Sequence, residues 1–198
     1  GTLPGSALSY TLTVVSTVVT GSGETQNNIV TNSVISTNGI ITWTPAQTQS
    51  PSTNVFTTVV SNGNTSATNA FIVIVMEANQ PPLLPAQTNL SLTGTQPITV
   101  TNTATEPNIH SLTTGYGLIV APAGAVIDTN GIITWTPTGN QVPSTNTFTT
   151  VVTNANPYDL VNPGLKATNS FVVTVLAIHN GPSLPTQNNV INNELVLL

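Results

Sequence analysis

Side chains capable of acid–base or metal chemistry are few in this 198-residue chain, and they are scattered along it. Hydrolysis of a glycosidic bond needs two carboxylates across a cleft, a metal site needs several closely spaced ligands, and serine catalysis needs a base and an orienting acid. The acids, histidines and single cation show none of these patterns; they are Glu24, Glu77, Glu106, Asp128, Asp159, Glu194, His110, His179 and Lys166. The sequence therefore predicts no catalytic residue, no metal site, no cofactor and no enzymatic activity.

The low charge of the chain excludes further classes of protein. Charged residues make up 4% of it and the formal net charge is −5, whereas globular proteins average about 25% charged residues. Binding to nucleic acid or to an anionic membrane depends on Lys and Arg, and the chain has one such residue. No apolar run approaches the roughly 18 residues of a membrane helix. We therefore expect no nucleic-acid partner and no membrane insertion. A composition so low in charge is also seldom cytosolic, so we expect an extracellular or cell-surface (secreted) protein. It has no cysteine.

The elements that would position any site are repeated along the chain. The string NGIITWTP occurs at 38–45 and again at 130–137, an offset of 92 residues. The offset becomes 100 by the end of each copy, so the second copy carries 8 extra residues within 153–166. The other matching pairs are PSTNVFTTVV (51–60) with PSTNTFTTVV (143–152), ATNAFIVIV (67–75) with ATNSFVVTV (167–175), and LPAQTN (84–89) with LPTQNN (184–189).

Each copy has the pattern of short strands. Apolar residues alternate with Ser and Thr from Leu8 to Val14, as in a half-buried strand, and the Asn-Gly pairs predict tight hairpin turns. No segment has the apolar period of a helix, so the sequence predicts an all-β sandwich. Trp43 and Trp135 are expected in the core, since each shares a strand face with an isoleucine; the alternative is an exposed sugar-binding tryptophan.

Three motifs resemble a known family: APAGAVIDTNGIITWTPT (121–138), PSTNTFTTVVTN (143–154) and ATNSFVVTV (167–175). They are similar to the tandem immunoglobulin-like or cadherin-like repeats of very large bacterial surface and secreted proteins. The resemblance implies extracellular modules that act as spacers, adhesins or fibre elements, without catalytic residues. Calcium-binding relatives carry acid clusters near domain junctions, whereas the comparable stretch 101–110 has only Glu106. This difference argues against calcium binding.

The predicted organisation is two tandem Ig-like (cadherin-like) β-sandwich domains, the first incomplete without an extra strand. Residues 1–79 form the first domain, which lacks an initial strand and has an inserted hairpin at about 16–30. Residues 80–181 form a complete second domain, which begins with a stretch that the first domain lacks. Residues 182–198 look like the start of a third copy, so they are a candidate donor strand for the next subunit.

Two explanations of this offset register remain open at the level of sequence. The chain is either a window from a longer covalent array, or its surplus strand completes the first domain of a neighbouring molecule. Strand addition of the second kind is heterologous and does not close, so it generates filaments. The proposed assembly strand contains Val190, Ile191, Leu195, Val196, Leu197 and Leu198. The alternative for this apolar set is folding back onto its own chain.

Two further surfaces are predicted to make contacts. Ile72, Ile74 and Met76 form an apolar outer face on the last strand of the first domain, which indicates a lateral contact; the alternative is that the inserted hairpin covers them. Tyr158 lies in the extra residues of the second copy and is a candidate ligand contact, with loop packing as the alternative.

Lys166 is expected in an exposed loop, with a Lys–Asn isopeptide bond beside a buried acid as the alternative.

These features favour a structural subunit of an extracellular microbial filament or surface stalk, assembled head to tail by C-terminal strand complementation. Its partners would be copies of itself. The alternative is an adhesin or carbohydrate-binding spacer module of a large surface protein, with surface glycans as its partners.

Overall fold

The computed structural model describes residues 7–19 and 24–188, and its regular elements there are strands and two short 3-10 turns. The strands of the first domain are β1 (Ser9–Val19), β2 (Thr25–Ile29), β3 (Val34–Ile35), β4 (Ile41–Thr42), β5 (Ser52–Ser61) and β6 (Ser66–Val75). Those of the second are β7 (Leu90–Thr93), β8 (Ile98–Thr101), β9 (Leu112–Val120), β10 (Val126–Ile127), β11 (Ile132–Trp135), β12 (Ser144–Ala155) and β13 (Lys166–Leu176). The predicted all-β fold is confirmed. The described ranges contain no helix that could span a membrane.

The second domain is a sandwich of two sheets. One sheet has the strand order β7-β13-β12-β9 and the other has the order β10-β11-β8. Over much of β12 and β13 buried residues alternate with more exposed ones, so one face of this sheet is turned towards the other sheet. The resulting core is fully buried and consists of Val100, Ile133, Trp135, Phe148, Phe171, Val173 and Val175. The core position predicted for Trp135 is confirmed: its ring lies 5.5 Å from that of Phe148, and its indole N–H donates to the carbonyl of Ala123.

The first domain repeats part of this arrangement. Its larger sheet has the order β2-β1-β5-β6, and its other described strands, β3 and β4, form a two-stranded pair. β2 pairs antiparallel with β1, from Val15 opposite Ile29 to Val19 opposite Thr25. The residues predicted as an inserted hairpin therefore form the end of β1 and the whole of β2. β2 widens the sheet at the edge opposite β6.

The buried core of the first domain is much smaller. Among the described residues only Val14, Val30 and Phe56 form its buried cluster, with Trp43 partly buried against it. Phe71 stacks on Phe56 with ring centroids 5.2 Å apart, just as Phe171 stacks on Phe148 at 5.1 Å. Yet Phe71 is 42% exposed, whereas Phe171 is 3% exposed. The same aromatic pair is thus sealed in one domain and open to solvent in the other.

This difference predicts unequal costs for the same substitution in the two domains of the monomer. Phe171→Ala should lower the free energy of unfolding of the second domain by about 3–5 kcal/mol, because it leaves a cavity in a closed core. Phe71→Ala should cost the first domain about half as much or less, since water already reaches that ring. Denaturant titrations followed by fluorescence would separate the domains in Trp43→Phe and Trp135→Phe backgrounds. Equal losses would show that Phe71 is covered in solution.

Candidate assembly site

An open groove of about 320 Å³ lies beside the last strand of the first domain. Its lining residues come from β1, β4, β5, β6 and the turn before β4; they are Tyr10, Gly39, Ile41, Thr58, Val60, Ala67, Thr68, Asn69 and Phe71. Within the described residues, β6 pairs only with β5 and β4 pairs only with β3. Each of these strands therefore has an edge beside the groove that no other described strand pairs, and an unpaired strand edge is a template for pairing with another strand.

The floor of the groove is set by the Asn-Gly turn predicted from the sequence. Gly39 has a φ of +79°, which a residue with a Cβ rarely adopts. A Cβ built there would lie 3.1 Å from the ring of Tyr10. The second domain repeats this contact between Gly131 and Tyr116. Glycine thus lets the tyrosine ring lie close against the turn in both domains.

In the second domain the corresponding position is filled by residues 84–104. β7 pairs in parallel with β13, from Val173 opposite Leu90 to Leu176 opposite Thr93. The chain then crosses to the other sheet, where β8 pairs antiparallel with β11. Both of the edges that are open in the first domain are thereby closed.

Polar contacts fix this closing segment in place. The side-chain amide of Asn169 donates to the carbonyl of Pro85 at 2.8 Å, and it also pairs with the amide of Asn102 at 2.8 Å. The backbone N–H of Val172 donates to the Asn89 side chain at 2.9 Å. The sheet edge of the second domain therefore bonds to side chains and backbone of one short segment.

The receiving groups have counterparts in the first domain. Asn69 occupies the position of Asn169, and Ile72 occupies the position of Val172. Asn69 is exposed, and its side chain makes no hydrogen bond within 7–19 and 24–188. The groove therefore has a strand edge and an asparagine equivalent to those that bind residues 84–104 in the second domain, but no described segment fills it.

The residues predicted as the assembly strand, Val190, Ile191, Leu195, Val196, Leu197 and Leu198, lie outside the described residues. The segment leading to them, 181–188, is exposed throughout. Leu184 is 93% exposed, whereas its counterpart Leu84 is half-buried. Leu184 is therefore not packed against its own molecule.

The junction between the domains is a second cluster of polar side chains. The side chain of Glu77 is only 2% exposed. Its carboxylate accepts from the Ser50 hydroxyl at 2.7 Å and from the Asn156 amide at 3.3 Å, and His110 lies 3.3 Å away. A buried carboxylate needs such donors, because burial without them is costly. Glu77 thus ties the end of the first domain to two loops of the second.

Asp159 forms the other half of this junction. One of its carboxylate oxygens accepts from the backbone N–H of Asn79, in the linker that follows β6, at 2.7 Å. The other accepts from the N–H groups of Val161 and Asn162 within its own loop. The Asn162 and Asn79 bonds lower the pKa of Asp159, against the opposing effect of burial, and the Val161 bond lowers it further. The extra residues of the second copy therefore hold the linker.

Asparagine amides complete the network. The Asn154 side chain donates to the carbonyl of Gln80 at 2.8 Å and to Glu106 at 2.9 Å. Glu106 also accepts from the Thr113 hydroxyl at 2.6 Å. Three acids that are far apart in sequence meet at the junction, a convergence that sequence reasoning missed. Within the described ranges, no group of three or more His or acid side chains is placed to hold a metal ion.

Tyr158 lies in this junction. Its ring meets His110 edge-on, with centroids 5.0 Å apart, and it is half-buried. With Ile74, Met76 and Leu160 it lines a groove of about 370 Å³ between the domains. A ligand contact at Tyr158 stays a prediction. Lys166 is exposed as the first residue of β13 rather than in a loop.

The outer face of the first sheet carries an exposed apolar row. Ile29, Val15, Val55 and Ile72 are direct partners across the four strands, with exposures of 72%, 41%, 39% and 62%. Ile74 and Met76 are exposed by 69% and 68%. β2 lies beside β1 and leaves this face open, so the alternative that the hairpin covers these residues is wrong. Their role in a lateral contact stays a prediction.

Comparison with known proteins gives structural neighbours only. No family model and no curated protein match the chain. It is similar to the crystal structure of human protocadherin-24 EC1-2, with a TM-score of 0.49 and 14% identity over 87% of this chain and 83% of that chain. It is also similar to the endo-fucoidan hydrolase MfFcnA4 of glycoside hydrolase family 107, with a TM-score of 0.36 and 16% identity over 88% and 24% of the two chains. It is similar as well to zebrafish RET cadherin-like domains 1 to 4, with a TM-score of 0.28 and 11% identity over 85% of this chain and 41% of that chain.

The junction predicts an acid-sensitive contact between the domains. The pKa of Asp159 lies below its ordinary value of 3.8, so its carboxylate stabilises the fold above that value and the contribution is lost as the pH falls through the lowered pKa. Asp159→Asn should be less stable than the wild type at neutral pH, and the difference should shrink in acid. Urea titrations from about pH 7 to about pH 3 would measure this. A constant difference across that range would contradict the assignment.

The exposed apolar row predicts side-by-side association. Ile72→Thr with Ile74→Thr should reduce the width of assembled bundles, while changing the stability of the monomer by no more than about 0.5 kcal/mol, as for other surface substitutions. Val172→Thr, on the equivalent face of the second domain, is the matched control. Electron microscopy and light scattering would measure bundle width. Unchanged bundles in the double variant would exclude this face as the lateral contact.

Proposed function

We propose that the chain is a non-enzymatic structural subunit of an extracellular filament or surface stalk, assembled head to tail by strand complementation. The observation that carries this proposal is the contrast between two copies of one fold. The second domain closes its sheet edges with residues 84–104, and the first presents the same edges as an open groove. The proposed partner is a second copy, whose C-terminal segment 184–198 fills the groove.

The energetics of the groove support an incoming strand. Phe71 is 42% exposed at the groove, and burying a large apolar side chain contributes about 1.5–3 kcal/mol. The segment 184–198 supplies six apolar residues beyond Asn189. Backbone pairing along β6 adds hydrogen bonds that are independent of side-chain type. Both partners therefore have surfaces that water solvates poorly and that complement each other.

The position of the two surfaces supports a linear polymer. The groove is in the first domain, and the donor segment follows the second domain in the chain. A contact between different surfaces of two copies is heterologous, so each added copy offers a fresh groove or a fresh donor. The Glu77 and Asp159 contacts hold the two domains together between these ends. A tensile force along such a polymer would be borne by the paired strands at each contact between copies and by the hydrogen-bonded junction within each copy.

This function predicts that residues 184–198 are needed for polymerisation and not for folding. The intact chain should form long fibres by electron microscopy. A variant ending at Ser183 should stay monomeric, with the fluorescence of Trp43 and Trp135 showing both domains folded. A synthetic 184–198 peptide should bind this truncated variant and block growth of the intact chain. Fibres from the truncated variant would overturn the proposal, and glycan binding by soluble monomers would instead favour an adhesin.

A further inference from the structure

We infer that the donor segment of a second copy lies parallel to β6 in one defined register, with Val190 opposite Val73 and Ile191 opposite Ile74. Pro185 and Asn189 of the donor accept hydrogen bonds from the Asn69 side chain and from the backbone N–H of Ile72. This inference rests on the proposed function and adds the polarity, register and binding residues of the same site.

The second domain supplies the template for this register. Its closing segment has the pattern Pro-x-Gln-x-Asn at 85–89. Pro85 accepts from Asn169 at 2.8 Å, and Asn89 accepts from the N–H of Val172 at 2.9 Å. Gln87 donates to the carbonyl of Thr101 at 2.9 Å, on the strand that follows. Pro85 and Asn89 thus fasten the segment to the edge strand β13 before β7 begins, and Gln87 ties it to β8 within the same segment.

The same three residues recur before the C-terminal strand, as Pro185, Gln187 and Asn189. The residues that bond to Pro85 and Asn89 also have counterparts, since Asn69 stands for Asn169 and Ile72 for Val172. In the second domain donor and receiver are both engaged within one molecule. In the first domain the receiver Asn69 is exposed and its side chain has no described partner. The matching donor is found in the segment at the other end of the chain.

A paired substitution at the next position distinguishes this donor from β7. In the second domain Thr174 lies opposite Ser91 on the outer face, a polar pair. At the equivalent positions of the first domain and the donor, the residues are Ile74 and Ile191. Ile74, paired only with Thr53 of β5 among the described residues, is 69% exposed, and an isoleucine opposite it on the other side would cover part of that surface. The change on the receiving strand is thus matched by a change in the proposed donor.

The register ends at Asn193. At the following position the second domain has Gly94, with a φ of +67° at the corner between β7 and β8. The donor has Glu194 there, and a glutamate is strained in that conformation. Asn192 also replaces the half-buried Leu92. The proposed register therefore covers residues 185–193 of the donor.

Cysteine pairs test the register directly, because the chain has no native cysteine. Neighbouring strands lie about 4.8 Å apart, within disulfide range, while a two-residue shift places Cα atoms about 8 Å apart, beyond it. Ile74→Cys with Ile191→Cys should give a ladder of covalent multimers under mild oxidation. The shifted pairs, Ile74→Cys with Asn189→Cys or with Asn193→Cys, should stay monomeric on a denaturing gel.

The outcomes separate this inference from the proposed function. Fibres that crosslink only through a shifted pair overturn the register and leave strand complementation standing. A disulfide confined to single molecules overturns donation by a second copy. Absence of both fibres and crosslinks, with folded domains, overturns the proposed function itself.

A binding measurement tests whether the Asn69 side chain binds the donor segment. Asn69→Ala in the variant ending at Ser183 should weaken binding of the 184–198 peptide by about fivefold to tenfold, the effect of one lost hydrogen bond. Asn64→Ala, an exposed asparagine in the turn between β5 and β6 that does not line the groove, is the matched control and should bind as before. Equal affinities for the two variants would remove Asn69 from the site.

Discussion

A β-sandwich is complete only when the edges of its sheets and the inner face between them are covered, and most of this structure follows from how each domain meets that requirement. Unpaired N–H and C=O groups at an edge, together with aromatic rings facing water, form a surface that favours strand addition. The second domain covers these groups with its own residues 84–104. The first domain has the same strands and the same aromatic pair, but its described residues include no such cover.

The two domains therefore serve as an internal comparison. Differences between them arise where the second has a covering segment and the described part of the first has none, as in the exposures of Phe171 and Phe71. Other differences mark local additions: β2 in the first domain and the loop around Asp159 in the second. The first addition widens a sheet, and the second fastens the linker. Neither disturbs the shared arrangement of β5 with β6 and of β12 with β13.

Much of the fold was predictable because its signals are local. Alternating apolar residues, the Asn-Gly turns and the repeated motifs are each contained within a few residues, and they correctly indicated an all-β chain with Trp135 in the core. The groove was predictable in outline, since an offset between the repeats is visible by alignment. The junction was not, because Glu77, Glu106 and Asp159 become neighbours only after folding. The open outer face was also undecided, since sequence does not show whether an added strand lies beside a sheet or across it.

The chemistry of the junction has a consequence for how the contact between the domains responds to salt. Its carboxylates are held by hydroxyl, amide and backbone N–H donors, with the His110 ring in contact with Glu77. Dissolved ions screen attraction between opposite charges, with a range that shrinks to about 3 Å at 1 M salt, but they have little effect on short hydrogen bonds between a carboxylate and neutral donors. The polar contacts at this junction should therefore weaken little as the salt concentration rises.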